Sequence, residues 1–372
     1  MKFVASTTSL MKSLQLINGV ISSNVVIPIL EYFLFEVEDG HLIITGTDLE
    51  TSIRTQVDVE AREKGRVAVP AKMMMDILKS LPEQPVTFTI DDAAYSISLT
   101  SDNGRYKVSG ENPEDFPSFP EMENPTTFEV EASVIGRGLN NSIFAVGNDD
   151  LKPAMGGLLF EVSPEYAHLV STDGNKLVRY KRSDVTANQE DKFIVPRKSV
   201  SLLRNSLNQA QGQVKVSYNQ TNALFEFGAT RLIARLIDER YPDYNAAIPQ
   251  QVAATLRINR QELLSSLKRI SIFANKTTYQ VKLKIAGSEL QLSAEDLDFS
   301  NEGYETLVCD YDGEDMEIAF SGKYLGEMLN ILDTEDVHFG LSTYNKPGIL
   351  RPVADQEEED ILMLIMPIVI NV

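Results

Sequence analysis

The chain has 372 residues, of which 43% are hydrophobic and 24% charged, with a net charge of −20 and one cysteine. The balance is ordinary for globular protein, a single thiol (Cys309) excludes an internal disulfide and points to a reducing, cytosolic compartment, and the acidic total argues against nucleic acid meeting the surface as a whole. The first twenty or so residues alternate too finely for a signal-peptide core, and the longest uncharged apolar run, Ile361–Ile370, is broken by Pro367 and too short to span a bilayer, so it reads as a buried terminal strand.

In chain order, Leu10, Leu14, Ile17 and Ile21 share one helical face and predict a helix over 7–20, with Thr8 or Ser9 as N-cap and Lys12 turned from the core. Tyr32–Val37, Asp39–Gly40 and His41–Thr45 read as a hairpin. Val67–Pro70 leads into a helix over 71–80, its proline near the N-terminus where no amide donor is needed. Strands follow at Val86–Ile90 and Tyr95–Leu99, then a proline-containing connector near Phe116–Thr126. The order repeats. Ile135, Leu139, Ile143 and Val146 predict a helix over 132–147 with Arg137 outward, and a further helix is expected over 196–208. After a second connector near Pro242–Ala254, Leu263, Leu267 and Ile270 predict a helix over 260–275 with Lys268 and Arg269 off the apolar stripe, and the last helix covers 321–332. Helix, strands, helix, strands in each unit is the pattern of an α+β domain with antiparallel sheet.

Three markers show that the chain states one unit three times. Val67–Leu78 returns as Phe193–Leu203 and, worn down, as Ile318–Leu329, aligning Lys72, Lys198 and Lys323. Leu34–Val37 with Asp48 returns as Leu159–Val162 with Asp173 and as Leu283–Ile285 with Asp296. Phe116–Phe119 matches Tyr241–Tyr244. The period is about 125 residues, a domain's length, against the roughly 20–50 of solenoids. Three tandem homologous domains are expected, at 1–126, 127–253 and 254–372.

The charge is unevenly placed. Lys12, Lys72, Lys79, Arg137, Arg197, Lys198, Arg204, Arg260, Lys268, Arg269 and Lys323 lie on the predicted helices, which are net positive, so strands and loops carry the acid. Such segregation suits a protein that meets a polyanion with one face, although lysine and arginine are also simply good helix formers. No phosphate-binding loop, dinucleotide fingerprint, zinc-protease motif or paired-cysteine motif is present. Asp48, Asp173 and Asp296 are the best catalytic candidates, but an aspartate recurring after a strand in every repeat reads better as a turn cap. Glu357–Asp360 reads as a solvated loop guarding a sheet edge rather than a cation site. His41, His168 and His338 lack ligand spacing, and no metal or other cofactor is expected.

With these residues in view, the chain resembles, over nearly its whole length, the bacterial DNA polymerase III beta subunits. The resemblance rests on Met1–Phe3, Pro28–Leu30, Thr45–Glu50, Val69–Lys72, Gly157–Glu161, Ser171–Gly174, Ile194–Lys198, Tyr241–Tyr244 and Met366–Pro367, all in order. It implies a non-enzymatic sliding clamp, a processivity factor that closes around duplex DNA as a head-to-tail homodimeric ring, helices lining the hole and touching backbone without reading sequence. It also implies a cytoplasmic, nucleoid-associated protein whose partners are the replicative polymerase alpha subunit, the clamp loader and other proteins with clamp-binding motifs. They would dock in a hydrophobic pocket lined by Met155, Thr172, Gly174, Asn175, Lys176, Leu177, Pro242, Ala247, Leu364, Met366, Pro367 and Ile368. The dimer contact would set Tyr106 and Val108 against Ile272 and Phe273, with Arg105 near Glu302 or Glu305. Against the family pattern, Asn175–Lys176 stands where His-Arg is frequent, Ala246 and Asn24 replace basic residues, and the C-terminus runs on as Val369–Val372. On residues alone, a three-domain protein scaffold that never encircles DNA and an enzyme with chemistry shared between domains remain open.

Overall fold

Six short helices form on the apolar spacings: Thr7–Asn18 (α1), Ala71–Ser80 (α2), Ala132–Ser142 (α3), Arg197–Leu207 (α4), Arg260–Ile270 (α5) and Gly322–Ile331 (α6). The computed structural model describes residues 1–23, 26–208, 210–353 and 357–369, so Asn24 and the extension beyond Val369 lie outside the described residues. Three helix ends differ from expectation. Helix α1 starts at Thr7 rather than after a Thr8 or Ser9 cap, because the Thr7 hydroxyl is held by the Pro82 carbonyl at 3.1 Å and the Gln84 amide at 3.1 Å. Helix α3 tightens into a 3-10 turn at Ile143–Ala145. Helix α5 stops at Ile270, where the Ser271 amide closes onto the Leu267 carbonyl and Ile272–Phe273 turn away. In α1, Leu10, Leu14 and Ile17 are wholly buried, each contributing about 1.5–3 kcal/mol of transfer free energy. Gly46 admits them: a Cβ there would stand 2.4 Å from the Ile17 methyl.

Two compact units emerge, Met1–Gly136 with Lys198–Leu236 and Arg137–Arg197 with Ile237–Val372. The first holds a five-stranded sheet, in spatial order Glu60–Glu63, Lys2–Ser6, Pro85–Asp91, Ser96–Thr100, Arg105–Ser109. It also holds an eight-stranded sheet, in order Thr126–Glu131, Gln213–Tyr218, Asn222–Phe227, Thr230–Arg235, Thr51–Asp58, His41–Thr47, Tyr32–Glu38, Gly65–Pro70. The hairpin between Tyr32–Glu38 and His41–Thr47 turns through Asp39 (φ 47°) and Gly40 (φ 88°), the left-handed pair expected of a two-residue turn.

The second unit holds a nine-stranded sheet, in order Asp191–Pro196, Gly157–Val162, Ala167–Thr172, Lys176–Arg182, Glu359–Ile365, Gly348–Pro352, Asp336–Leu341, Ala254–Asn259, Asp310–Tyr311. Its four-stranded sheet runs Asn301–Val308, Glu289–Asp296, Gln280–Ala286, Met316–Ser321. Among the described residues every strand pairing is antiparallel, as expected for the class. The large sheets ignore the sequence repeats. Thr51–Arg54 of the first repeat pairs with Arg231–Ala234 of the second, and Lys176–Arg182 of the second pairs with Glu359–Ile365 of the third. The middle third of the chain is therefore divided between the two units.

Glu357–Asp360 corrects one expectation. Glu359 and Asp360 open an internal strand, and the Glu359 side chain is only 3% exposed. It accepts from Arg137 Nε at 2.8 Å and from the Tyr180 hydroxyl at 2.7 Å. It is a counter-ion inside the sheet face and guards no edge, since a buried carboxylate is tolerated only when paired.

Candidate partner pocket and charged helix faces

The three repeated aspartates cap turns. Asp48 Oδ1 accepts from the amides of Glu50 and Thr51, Asp173 Oδ1 from Asn175 and Lys176, and Asp296 Oδ1 from Asp298. In each, Oδ1 is spent on backbone amides, which is the turn-capping reading preferred from the sequence over catalysis.

The Asp173 turn forms one side of the expected pocket. Thr172 Oγ1 donates to the Lys176 carbonyl at 2.7 Å and accepts from the Gly174 amide at 3.1 Å, and Gly174 takes φ 91°, a conformation open to glycine. Beyond the turn, Leu177 and Leu364 are direct cross-strand partners, both nearly fully buried. They belong to a cluster with Leu159, Val170, Ile194, Tyr244, Ile349 and Leu362. Met155 is half-buried and its carbonyl accepts from the Gly147 amide at 2.9 Å. The strand ends at Ile365 rather than continuing to Ile370. The tail is then pinned twice, Met366 N–H to the Asn175 carbonyl and Ile368 N–H to the Ala319 carbonyl, each at 2.8 Å. Met366 stays 41% exposed, and Pro367 and Ile368 are half-buried.

The connector closes the other side. Tyr241 donates to the Val170 carbonyl at 3.3 Å and Tyr244 to Glu161 at 2.8 Å, so two buried rings anchor the exposed Pro242 between them, and Ala247 ends the following 3-10 turn. Burial holds both phenols well above their ordinary range. The sequence reading missed Tyr241, Ile237 and Ile248, partly buried side chains that pack on the same cluster. Their signal was present, since they are the apolar residues flanking the proline connector. Lys176 departs from expectation. Adjacent strand residues point to opposite faces, and its ammonium is buried against Glu327 of α6, 4.6 Å from the Tyr324 ring centroid. It offers the pocket backbone only.

Beneath the connector, the Tyr244 hydroxyl also lies 3.3 Å from His168 Nδ1. Burial, with the Arg179 guanidinium second, pushes this imidazole down to about 4. The unfolded chain binds that proton near 6.5. Between those values the unfolded state holds more protons, so stability falls as pH falls through the window. The full shift corresponds to about 3 kcal/mol. Urea midpoints measured at about pH 7, 5.5 and 4.5 should drop accordingly, and His168→Gln should flatten the decline.

The helix cations divide into two groups. Lys12, Lys72, Lys79, Lys268 and Lys323 are exposed, and among the described residues no ion pair engages them. The others are committed. Arg137 is held by Asp333 at 2.7 Å and Glu359 at 2.8 Å, Lys198 by Asp48, and Arg269 by Glu305 at 2.6 Å. Arg260 donates to the Leu329 and Thr334 carbonyls, finishing α6; Arg197 donates to the Val146 carbonyl; Arg204 reaches Asn205. Glu305 is held down to about 2 by Arg269, so the expected Arg105–Glu305 pair meets a carboxylate already occupied.

Two sheets end on open edges, Arg105–Ser109 and Asn301–Val308. Arg105, Tyr106 and Glu302 are exposed, while Val108 is 8% exposed within its own chain. Ile272 is 67% exposed, and Phe273 lies against Gly303, where a Cβ would come within 2.7 Å of its ring. Leu297, Phe299, Tyr304 and Val308, unremarked from the sequence, stand exposed on or beside the second open edge.

Models of the DNA polymerase III beta subunit match the chain in order: the N-terminal domain at residues 1–120, the central domain at 129–243 and the C-terminal domain at 245–368. The beta sliding clamp of Pseudomonas putida is 30% identical over 367 residues, covering 98% of this chain and 99% of the relative. That of Synechocystis sp. is 28% identical, covering 99% of each. Among solved structures, a DnaN sliding clamp from Pseudomonas aeruginosa bound to griselimycin superposes with TM-score 0.94 at 28% identity over 100% of both chains. The beta subunit of Thermotoga maritima superposes at 0.92 with 25% identity over 100% of both chains.

Proposed function

Because the chain belongs to the DNA polymerase III beta subunit family, we propose that it is a sliding clamp, a non-enzymatic processivity factor in DNA replication that needs no cofactor. The observation that carries this reading is the match of all three domain models in order along one chain, each repeat contributing helices and antiparallel sheet. Domain limits at 1–126, 127–253 and 254–372 follow from the repeat markers. Two copies close head to tail into a ring around duplex DNA in the bacterial cytoplasm, at the nucleoid, with the open edge Arg105–Ser109 of one copy beside Asn301–Val308 of the next.

Lys12, Lys72, Lys79, Lys268 and Lys323 supply the phosphate contacts of this ring, being exposed and held by no ion pair among the described residues, while Arg137, Lys198, Arg260 and Arg269 serve the fold. Contacts of this kind are sequence-independent and weaken with salt. The polymerase alpha subunit, the clamp loader and other motif-bearing partners insert a short apolar peptide between the Asp173 turn, the Pro242 connector and the Met366–Ile368 tail. Leu177 and Leu364 form the floor of that pocket and Met155 and Met366 its adaptable walls.

The test is topological. Loaded onto closed circular DNA, the protein should stay bound through a high-salt wash as a particle of about 83 kDa, twice the 41.4 kDa chain, and leave once the circle is cut. Equal retention on linear and circular DNA, or release from both, would overturn the reading.

A further inference from the structure

The first sheet junction carries a cleft of about 520 Å³ whose lining includes Leu34, Arg54, Arg66, Phe119, Met122 and Arg231, with one carboxylate, Glu121, on the connector, all within the first unit. That size falls within the roughly 300–1,000 Å³ of ligand clefts. Its charges are arranged against ordinary sheet practice. Arg54 and Arg231 are direct cross-strand partners, an opposition of like charges that destabilises a sheet. Phe119 lies between them, its ring centroid 4.8 Å from one guanidinium carbon and 5.5 Å from the other. Arg231 has Glu226 at 3.0 Å, and Arg66 has Glu36 at 2.9 Å and Glu114 at 3.0 Å. Arg54 is served worst. Among the described residues its carboxylate is Glu36, at 3.6 Å and shared with Arg66. Partial burial and the two neighbouring cations lower the pKa of its guanidinium from the usual value.

The repeat shows what this frame is for. One period on, Glu36 becomes Glu161, Arg66 becomes Lys192 (again an ion pair, at 3.3 Å), Arg54 becomes Arg179, and Phe119 becomes Tyr244. Pro117 and Met122 correspond to Pro242 and Ala247, two residues of the pocket assigned above to partner peptides. The difference lies at the residue across the junction strand. Opposite Arg179 stands Leu362, whereas opposite Arg54 stands Arg231. At one junction the arginine faces an aliphatic side chain and at the other a second guanidinium, whose planar fork matches a carboxylate.

We propose that the Arg54–Phe119–Arg231 cleft is a second docking site, for an acidic peptide segment whose aspartate or glutamate side chains enter between the guanidiniums while neighbouring apolar residues rest on Leu34 and Met122. The mode of docking, though not the charge, rests on the peptide reading of the second junction. A carboxylate there relieves the opposition of Arg54 and Arg231, and the prolines of the connector keep its wall stiff.

The full-length protein would be titrated by fluorescence anisotropy at low salt with a labelled peptide of core Asp-Leu-Glu-Phe. An uncharged Asn-Leu-Gln-Phe version and a Gln-Leu-Ser-Leu-Phe peptide serve as comparisons. The acidic peptide should bind and its uncharged version should not. Arg231→Glu should weaken the acidic peptide at least tenfold and leave the Gln-Leu-Ser-Leu-Phe peptide unchanged, and removal of the Met366–Val372 tail should do the reverse. Met122→Asp, on the connector and outside the strand pairing, gives the same loss should Arg231→Glu fail to fold, with melting curves checked for each variant. Absence of acidic-peptide binding, or equal binding to wild type, Arg231→Glu and Met122→Asp, would overturn the proposal. Failure of the Gln-Leu-Ser-Leu-Phe peptide alone would count against the other pocket only.

Discussion

A chain carrying Ile272→Ala and Phe273→Ala should sediment as a monomer at micromolar concentration, close to the 41.4 kDa of one chain. Ile272 is 67% exposed and Phe273 is 36% exposed, directly after α5, beside an open sheet edge that also displays Tyr304 and Val308. Apolar side chains standing free at an unpaired edge are costly in an isolated chain and are covered in a ring. Truncating two of them removes about 3–6 kcal/mol of burial per junction, a hundredfold or more in dissociation constant. A two-membered head-to-tail ring has two such junctions. Because Phe273 also packs on Gly303 within its own chain, Ile272→Ala alone should weaken the dimer without lowering the melting temperature. Sedimentation velocity decides the matter, and a double variant that remains a tight dimer would remove this surface from the contact.

Removing Met366–Val372 should lower affinity for a Gln-Leu-Ser-Leu-Phe peptide by at least about a hundredfold, the loss expected when a pocket's anchoring apolar contacts go. Two separate effects combine. The half-buried wall formed by Met366, Pro367 and Ile368 disappears, and the Asn175 carbonyl loses the amide that ties the Asp173 turn to the tail. The ring is spared, since Ile272, Tyr304 and the two open edges are untouched. Anisotropy and sedimentation on the same preparation separate these outcomes. Peptide binding at wild-type strength would place the pocket elsewhere.

What could be read from the chain alone depended on how local the cause was. Leu10, Leu14 and Ile17 had only to obey a 3.6-residue period, and Asp39–Gly40 only to tolerate positive φ, so the helices and hairpin were legible. The turn-capping role of Asp48, Asp173 and Asp296 was legible because an aspartate reaches amides two or three residues on. Pairings between distant segments were not. Nothing near Glu359 announces Arg137 and Tyr180, about 180–220 residues away, so its acidic neighbourhood looked like solvated loop. Separation along the chain also hid the ion partners of Arg137 and Arg269, and turned Lys176 toward the pocket when Glu327 holds it on the other face.

The two sheet junctions differ in length. Four residue pairs join Thr51–Arg54 to Arg231–Ala234, whereas seven join Lys176–Arg182 to Glu359–Ile365. Interstrand hydrogen bonds contribute about 0.5–1.5 kcal/mol each, so the shorter seam opens at smaller cost. The amides of Ser52 and Ile233, which face each other across the short seam, should therefore exchange with deuterium well before those of Leu177 and Leu364 across the long one, although all four residues are buried. The first repeat then comes away from the second before the second comes away from the third. A covalent staple across that short seam, rather than across the long one, is the change that would most slow the chain's unfolding.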